Sequence, residues 1–171
     1  MLIIIEGIDR VGKTTLSTLL EKELGFTLCK WFNMDTRENL GNNNIFNYQV
    51  AEQLRKIDFS KKNIVIDRFH LTEYAYGIVD RGLDAKGQEK VCLNVDKKLS
   101  ELKDNCCIIY VEPIDLEESS RRHGKQLYPH LMFFNDILKR ISCEVIHTDF
   151  NNLRKTIEEI RKRLVYEKHR G

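Results

Sequence analysis

The sequence predicts an α/β fold in which a parallel sheet is covered by helices on both faces. Three observations carry that reading. Short apolar runs recur at Leu2 to Ile5, Asn63 to Ile66, Cys106 to Val111 and Val145 to His147, each too short for a helix. Between them lie segments whose apolar residues repeat at helical spacing. A glycine motif also stands between the first apolar run and the first helical segment, the order strand, loop, helix.

The elements follow in order. Leu2 to Ile5 is a buried strand, and Leu16, Leu19, Leu20 and Leu24 then mark one face of a helix that Gly25 closes. Phe26 to Phe32 reads as a second strand, the Asn-rich piece Asn39 to Asn47 as a loop, and Tyr48 to Ile57 as a helix through Val50, Leu54 and Ile57. The third strand ends in Asp67-Arg68. Gly82 and Gly87 punctuate a turn, and Val91, Val95, Leu99 and Leu102 mark the next helix. The fourth strand stops at Pro113, and a polar helix is expected from Asp115 to His123. Asp149 and Asn151 signal the start of a closing helix along Leu153, Ile157, Ile160 and Leu164. The expectation is a single domain over residues 1–171, a sheet of about five strands in a three-layer sandwich, with a short lid around 117–130.

Composition narrows the function classes. The chain has 42% hydrophobic and 32% charged residues and a net charge of only +2, so no basic field argues for a nucleic acid partner. No apolar stretch approaches a membrane span, and the first apolar run is used as a strand rather than as a signal peptide. The five cysteines form no C-x-x-C pair and sit on apolar segments, which suits reduced thiols in a cytoplasmic protein.

Gly7, Gly12, Lys13 and Thr14 fill G-x-x-x-x-G-K-[ST], the phosphate-binding P-loop. Its backbone N–H groups, from Gly7 through Asp9, Arg10, Val11 and Gly12 to Lys13, Thr14 and Thr15, turn inward on phosphate, and the following helix adds its dipole. Lys13 supplies a point charge, and the Thr14 hydroxyl a ligand for Mg²⁺. The fold expected is therefore the P-loop NTPase type. In such sheets ligands bind beyond the carboxyl ends of the strands. That rule gathers the P-loop, Asn33 to Arg37, Asp67-Arg68 and Glu112 to Lys125 around one cleft. No Asn-Lys-x-Asp base reader and no strand-end carboxylate with a neighbouring Glu is present, which turns the reading away from switch GTPases and motor ATPases. Arg10, Arg68, Arg121, Arg122 and Lys125 suit a cleft that brings two phosphorylated molecules together.

The residues resemble one family. Glu6-Gly-Ile-Asp-Arg-Val-Gly-Lys-Thr-Thr15 is similar to the P-loop of thymidylate kinases, and Asp67-Arg-Phe-His-Leu-Thr-Glu-Tyr-Ala-Tyr-Gly77 to that family's D-R-x-x-x-[ST]-x-x-A-[YF] signature. The resemblance implies ATP as phosphoryl donor, Mg²⁺ as cofactor, and a deoxynucleoside monophosphate, dTMP, as acceptor. It implies that Asp9 binds the acceptor's 3′-hydroxyl, that Arg10 reaches the γ-phosphate, and that Arg68, with Asp67 beside it, holds the acceptor's phosphate. Thr72 and Tyr76 would touch the acceptor's base and sugar, and Arg121 or Arg122 would close from the lid. Arg37 stands in for the family's arginine after strand two, and Phe46 and Tyr48 are counterparts of its base-stacking phenylalanine. The resemblance also permits a homodimer. Two alternatives stay open: a deoxynucleoside kinase acting on a 5′-hydroxyl, and a module that binds ATP without turning it over.

Overall fold

The computed structural model describes residues 1–29, 51, 53–59 and 61–168. Five strands form one parallel sheet: β1 (Leu2–Glu6), β2 (Thr27–Cys29), β3 (Ile64–Asp67), β4 (Cys106–Glu112) and β5 (Glu144–Asp149), in the order β2-β3-β1-β4-β5. All five residues of β1 are buried, as an apolar run with neighbours on both edges and helices on both faces must be. Its register sets the site. Ile5 lies opposite Asp67 of β3, and Glu6 lies opposite Tyr110 of β4, so the third strand ends level with the start of the glycine loop.

Among the described residues six helices with full bounds cover the sheet: α1 (Lys13–Leu24), α2 (His70–Arg81), α3 (Ala85–Ser100), α4 (Leu116–His123), α5 (Tyr128–Ile137) and α6 (Leu153–Lys168). α1 packs on α6, while α2 packs on α3 and α5, so the two groups lie on opposite faces. α1 buries Lys13, Leu16, Ser17 and Leu20, a stripe at spacings of three and four. The N-cap signals hold: Asp115 accepts the Glu118 N–H at 2.9 Å, and Asp149 accepts those of Asn151 at 2.8 Å and Asn152 at 3.1 Å.

Two differences from the sequence reading have local causes. Gly82 does end a helix, but Gly87 lies inside α3 rather than in a turn. Asp84 accepts the Gly87 N–H at 2.6 Å, and this cap starts the helix at Ala85. The whole of α2 is also helical, where the sequence singled out only a motif. Leu71, Tyr74 and Ala75 give it a buried face.

Candidate active site

β1 ends in the glycine loop, and the loop's shape is fixed by close approaches. At Gly7 φ is +138°, and a Cβ there would lie 2.5 Å from the Val111 carbonyl oxygen of β4. At Gly12 φ is +102°, and a Cβ would meet the Phe150 ring at 2.6 Å. Arg10 and Arg68 adopt positive φ, +66° and +72°, without being glycine. The loop opens on a cleft of about 720 Å³. Asp9, Arg10, Val11, Gly12, Lys13, Thr14 and Thr15 line its floor. Arg68 comes from the end of β3, and Asp115, Glu118, Arg122 and His123 from α4 and its cap. Phe150 and Ile114 add apolar surface, each more than half exposed.

Charge is concentrated on the loop. Lys13 is buried and donates to the Ile8 carbonyl. Burial, and then the charge of Arg68, push its ammonium down to about 7. Asp9 is paired with Arg68 through Oδ1, and His123 brings Nε2 to 3.3 Å from its Oδ2. Burial raises the Asp9 carboxyl, but Arg68, Lys13 and His123 outweigh it and hold the group below the usual carboxylate range. The Thr14 hydroxyl donates to Asp67 Oδ2 at 3.3 Å, while Asp67 Oδ1 is buried with no hydrogen-bond partner among the described residues. Two hard oxygens side by side, one with free lone pairs, suit Mg²⁺, which takes few protein ligands and fills its shell with water and phosphate. Among the described residues no cluster of three His, Cys, Asp or Glu offers a richer metal site.

The residues expected to form a lid have separate placements. Glu118 pairs with Arg121, and accepts from Arg122 Nε at 2.5 Å. Arg122 lines the cleft and Arg121 does not. Lys125 lies 2.5 Å from Asp80 of α2, which also meets His130 of α5 at 2.9 Å. Thr72 and Tyr76 are buried on the α2 face behind the loop. The Thr72 hydroxyl donates to Glu6 Oε2 at 2.5 Å, and the Tyr76 hydroxyl accepts the Asp9 backbone N–H at 3.0 Å. Arg37, Phe46 and Tyr48 lie outside the described residues.

Three participants were missed by sequence reasoning. Glu6 is fully buried and accepts from Phe69, Leu71 and Thr72; its signal was a lone carboxylate ending an otherwise apolar strand. His123 follows Arg121 and Arg122 directly and could have been grouped with them. Phe150, whose ring covers Gly12, gave no local signal.

A P-loop beginning a parallel 2-3-1-4-5 sheet, with an arginine facing it from the end of the third strand, defines the class as a P-loop NTPase-type α/β protein. No protein-family model matches the chain, and no curated protein matches it in sequence. Solved structures share its fold. The YorR protein of Bacillus subtilis, in complex with phosphorylated GDP, superimposes with a TM-score of 0.68 at 19% identity, covering 100% of this chain and 99% of that one. Thymidylate kinase from Ehrlichia chaffeensis gives 0.60 at 23%, covering 94% and 97%. Deoxyadenosine kinase from M. mycoides with bound dATP gives 0.55 at 15%, covering 96% and 99%. The fold is thus one that nucleotide and nucleoside kinases use.

Proposed function

We propose that the protein transfers the γ-phosphoryl group of ATP to a deoxynucleoside monophosphate, with dTMP as the first acceptor to test. The observation that carries this is the position of Arg68. It reaches Asp9 from the end of β3, placing a guanidinium across from the Lys13 and Thr14 side of the loop. A planar guanidinium in that place suits bidentate contact with the phosphate of a second, acceptor molecule.

In this mechanism the inward N–H groups of the loop and the Lys13 ammonium hold the β- and γ-phosphates. Thr14 and Asp67 would hold Mg²⁺, which when bound offsets charge on the donor phosphates. Arg68 grips the acceptor's phosphate and lines it up with the γ-phosphorus. Asp9, pinned by Arg68 and His123, presents its remaining lone pairs to the acceptor's sugar. Arg10 and Arg122 stabilise charge on the equatorial oxygens during in-line transfer, with Arg121 joining as the lid closes. Closure over residues 117–130 excludes water, so the phosphoryl group passes to the acceptor instead of being hydrolysed. The choice of thymine rests on the resemblance in the two sequence signatures. The described helices include none long and apolar enough to cross a membrane.

The likeness to deoxyadenosine kinase favours a second reading, transfer to a nucleoside 5′-hydroxyl. That chemistry needs a free base beside the hydroxyl, and Asp9 is tied to Arg68 and His123. The test is ADP release from ATP·Mg²⁺ with dTMP, each other deoxynucleoside monophosphate, and thymidine offered separately. Stimulation by a monophosphate with thymidine inert supports the proposal. Stimulation by thymidine alone selects the nucleoside kinase, and tight ATP binding with no stimulation by any acceptor refutes both.

A further inference from the structure

Glu6 stands out as a fully buried carboxylate that the mechanism above does not use. Its Oε1 accepts the N–H groups of Phe69 at 3.1 Å and Leu71 at 3.0 Å. Its Oε2 accepts the Thr72 N–H at 3.1 Å and the Thr72 hydroxyl at 2.5 Å. These are the open donors of the first turn of α2, whose own N-cap residue, Phe69, offers no side-chain acceptor. The cap of α2 is therefore supplied from the sheet's central strand, by the residue just before the glycine loop.

The consequence falls on the two residues between β3 and the helix. The Arg68 N–H donates to the Ile5 carbonyl at 2.9 Å, and the next three N–H groups on the chain include two held by Glu6. Arg68 is thus bracketed by adjacent residues of β1 while its backbone sits at φ +72°, a conformation that arginine does not hold without constraint. That bend aims its side chain at Asp9. One helical turn beyond Thr72, Tyr76 accepts the Asp9 N–H, so the same α2 face fixes both partners of the Arg68–Asp9 pair.

We infer that Glu6 is a positioning residue for the acceptor-phosphate site: by capping α2 it holds Arg68 in the bend that presents its guanidinium to the acceptor. This rests on the phosphotransfer reading above and adds a residue to it. Thr72 and Tyr76 then serve as supports behind the cleft.

Glu6→Gln keeps the volume but sets an amide donor against backbone donors. The expected result is a fall in kcat/KM for the acceptor of about tenfold to a hundredfold, the loss that follows a small misplacement of a gripping group. The Kd for MgATP, measured by calorimetry, should change less than about threefold, because the loop's own N–H groups are untouched. Thr72→Val, which removes only the hydroxyl bond, should give a milder loss of the same kind, and Thr72→Ser should restore it. This pair carries the test if Glu6→Gln does not fold. A separate readout needs no turnover. The Arg68 guanidinium Nη–H resonances, assigned through Arg68→Lys, should be protected in the wild type, where Nη2 meets Asp9, and averaged with solvent in Glu6→Gln or Thr72→Val.

Acceptor kinetics that stay at wild-type levels in a folded variant, or MgATP affinity falling in parallel with them, would overturn the inference. An unmoved Arg68 resonance would do so as well. If the wild type shows no acceptor-stimulated turnover, the phosphotransfer reading fails on its own, and the resonance still decides whether Glu6 places Arg68.

Discussion

His70 is buried at the start of α2, and neither ring nitrogen has a hydrogen-bond partner among the described residues. Burial pushes its pKa down from 6.5 to about 4, against a weaker upward pull from Asp96 of α3. Above pH 6.5 the ring is neutral whether the chain is folded or not. Below it the unfolded chain takes up a proton that the folded protein refuses until about pH 4. Stability is therefore lost as pH falls through that window, by about 1.4 kcal/mol per unit and about 3 kcal/mol in all. The perturbation is His70→Leu, similar in volume and unable to titrate. Glu6 has the opposite sign, since burial raises it to about 7 and its share of stability is lost as pH rises from 4.5. Subtracting variant from wild type at each pH cancels Glu6 and the surface carboxylates together. Urea unfolding of both proteins at about pH 8, 6 and 4.5 reads the difference, with equal m-values confirming a common unfolded state. The variant should gain on the wild type steadily as pH falls, by about 2 to 3 kcal/mol at the lowest point. At the highest pH it should be at least as stable, having no unpaired nitrogens to bury. A difference that does not change with pH would refute the reasoning and mean that the imidazole is solvated.

Other outcomes are expected from the loop and its partners. Lys13→Ala should lower turnover by about a hundredfold or more in the ADP-release assay, and near-normal turnover would remove Lys13 from the mechanism. Arg68→Ala should raise the acceptor KM far more than the Kd for MgATP; equal losses would contradict its assignment to the acceptor. Gly7→Ala should destabilise by about 2 to 5 kcal/mol in urea, since both φ and the Val111 carbonyl oppose a Cβ, and a cost under about 1 kcal/mol would show that β4 yields. Chelation of Mg²⁺ should abolish turnover, and Asp67→Asn should raise the Mg²⁺ concentration needed to restore it. Unchanged Mg²⁺ dependence would leave Asp67 without its proposed role.

The framework of this fold was legible because local signals were strong: four apolar runs, glycines at loop and cap, and Asp115 and Asp149 ahead of two helices. Gly87 misled because glycine was read as punctuation, when the Asp84 cap three residues earlier had already begun the helix. The cleft was legible wherever a motif carried it, so Lys13, Thr14, Asp67 and Arg68 do converge. What stayed hidden was long-range pairing. Glu6 and the N–H of Phe69 are 63 positions apart, and no spacing rule connects a strand-end carboxylate to the cap of a distant helix. For the same reason Thr72 and Tyr76 read as contacts for a ligand, while their hydroxyls face Glu6 and the Asp9 backbone. The return of α4 across the loop, which brings His123 to Asp9, is likewise a tertiary fact.

The order in which the strands pair has a consequence for biogenesis. β1 is early in the chain, yet its two neighbours in the sheet are β3 at residues 64–67 and β4 at residues 106–112. The glycine loop leans on both, through Arg68 and Ile5 on one side and Gly7 and Val111 on the other. A nascent chain therefore carries its phosphate-binding residues long before it can shape them, and contacts so far apart in sequence form late. Ribosome-bound chains arrested before β4 has emerged should bind no ATP, and those arrested after it should begin to. On the phosphotransfer reading, nucleotide capture then marks the docking of β4 on β1, and bound ATP favours chains that have reached that stage over those that have not.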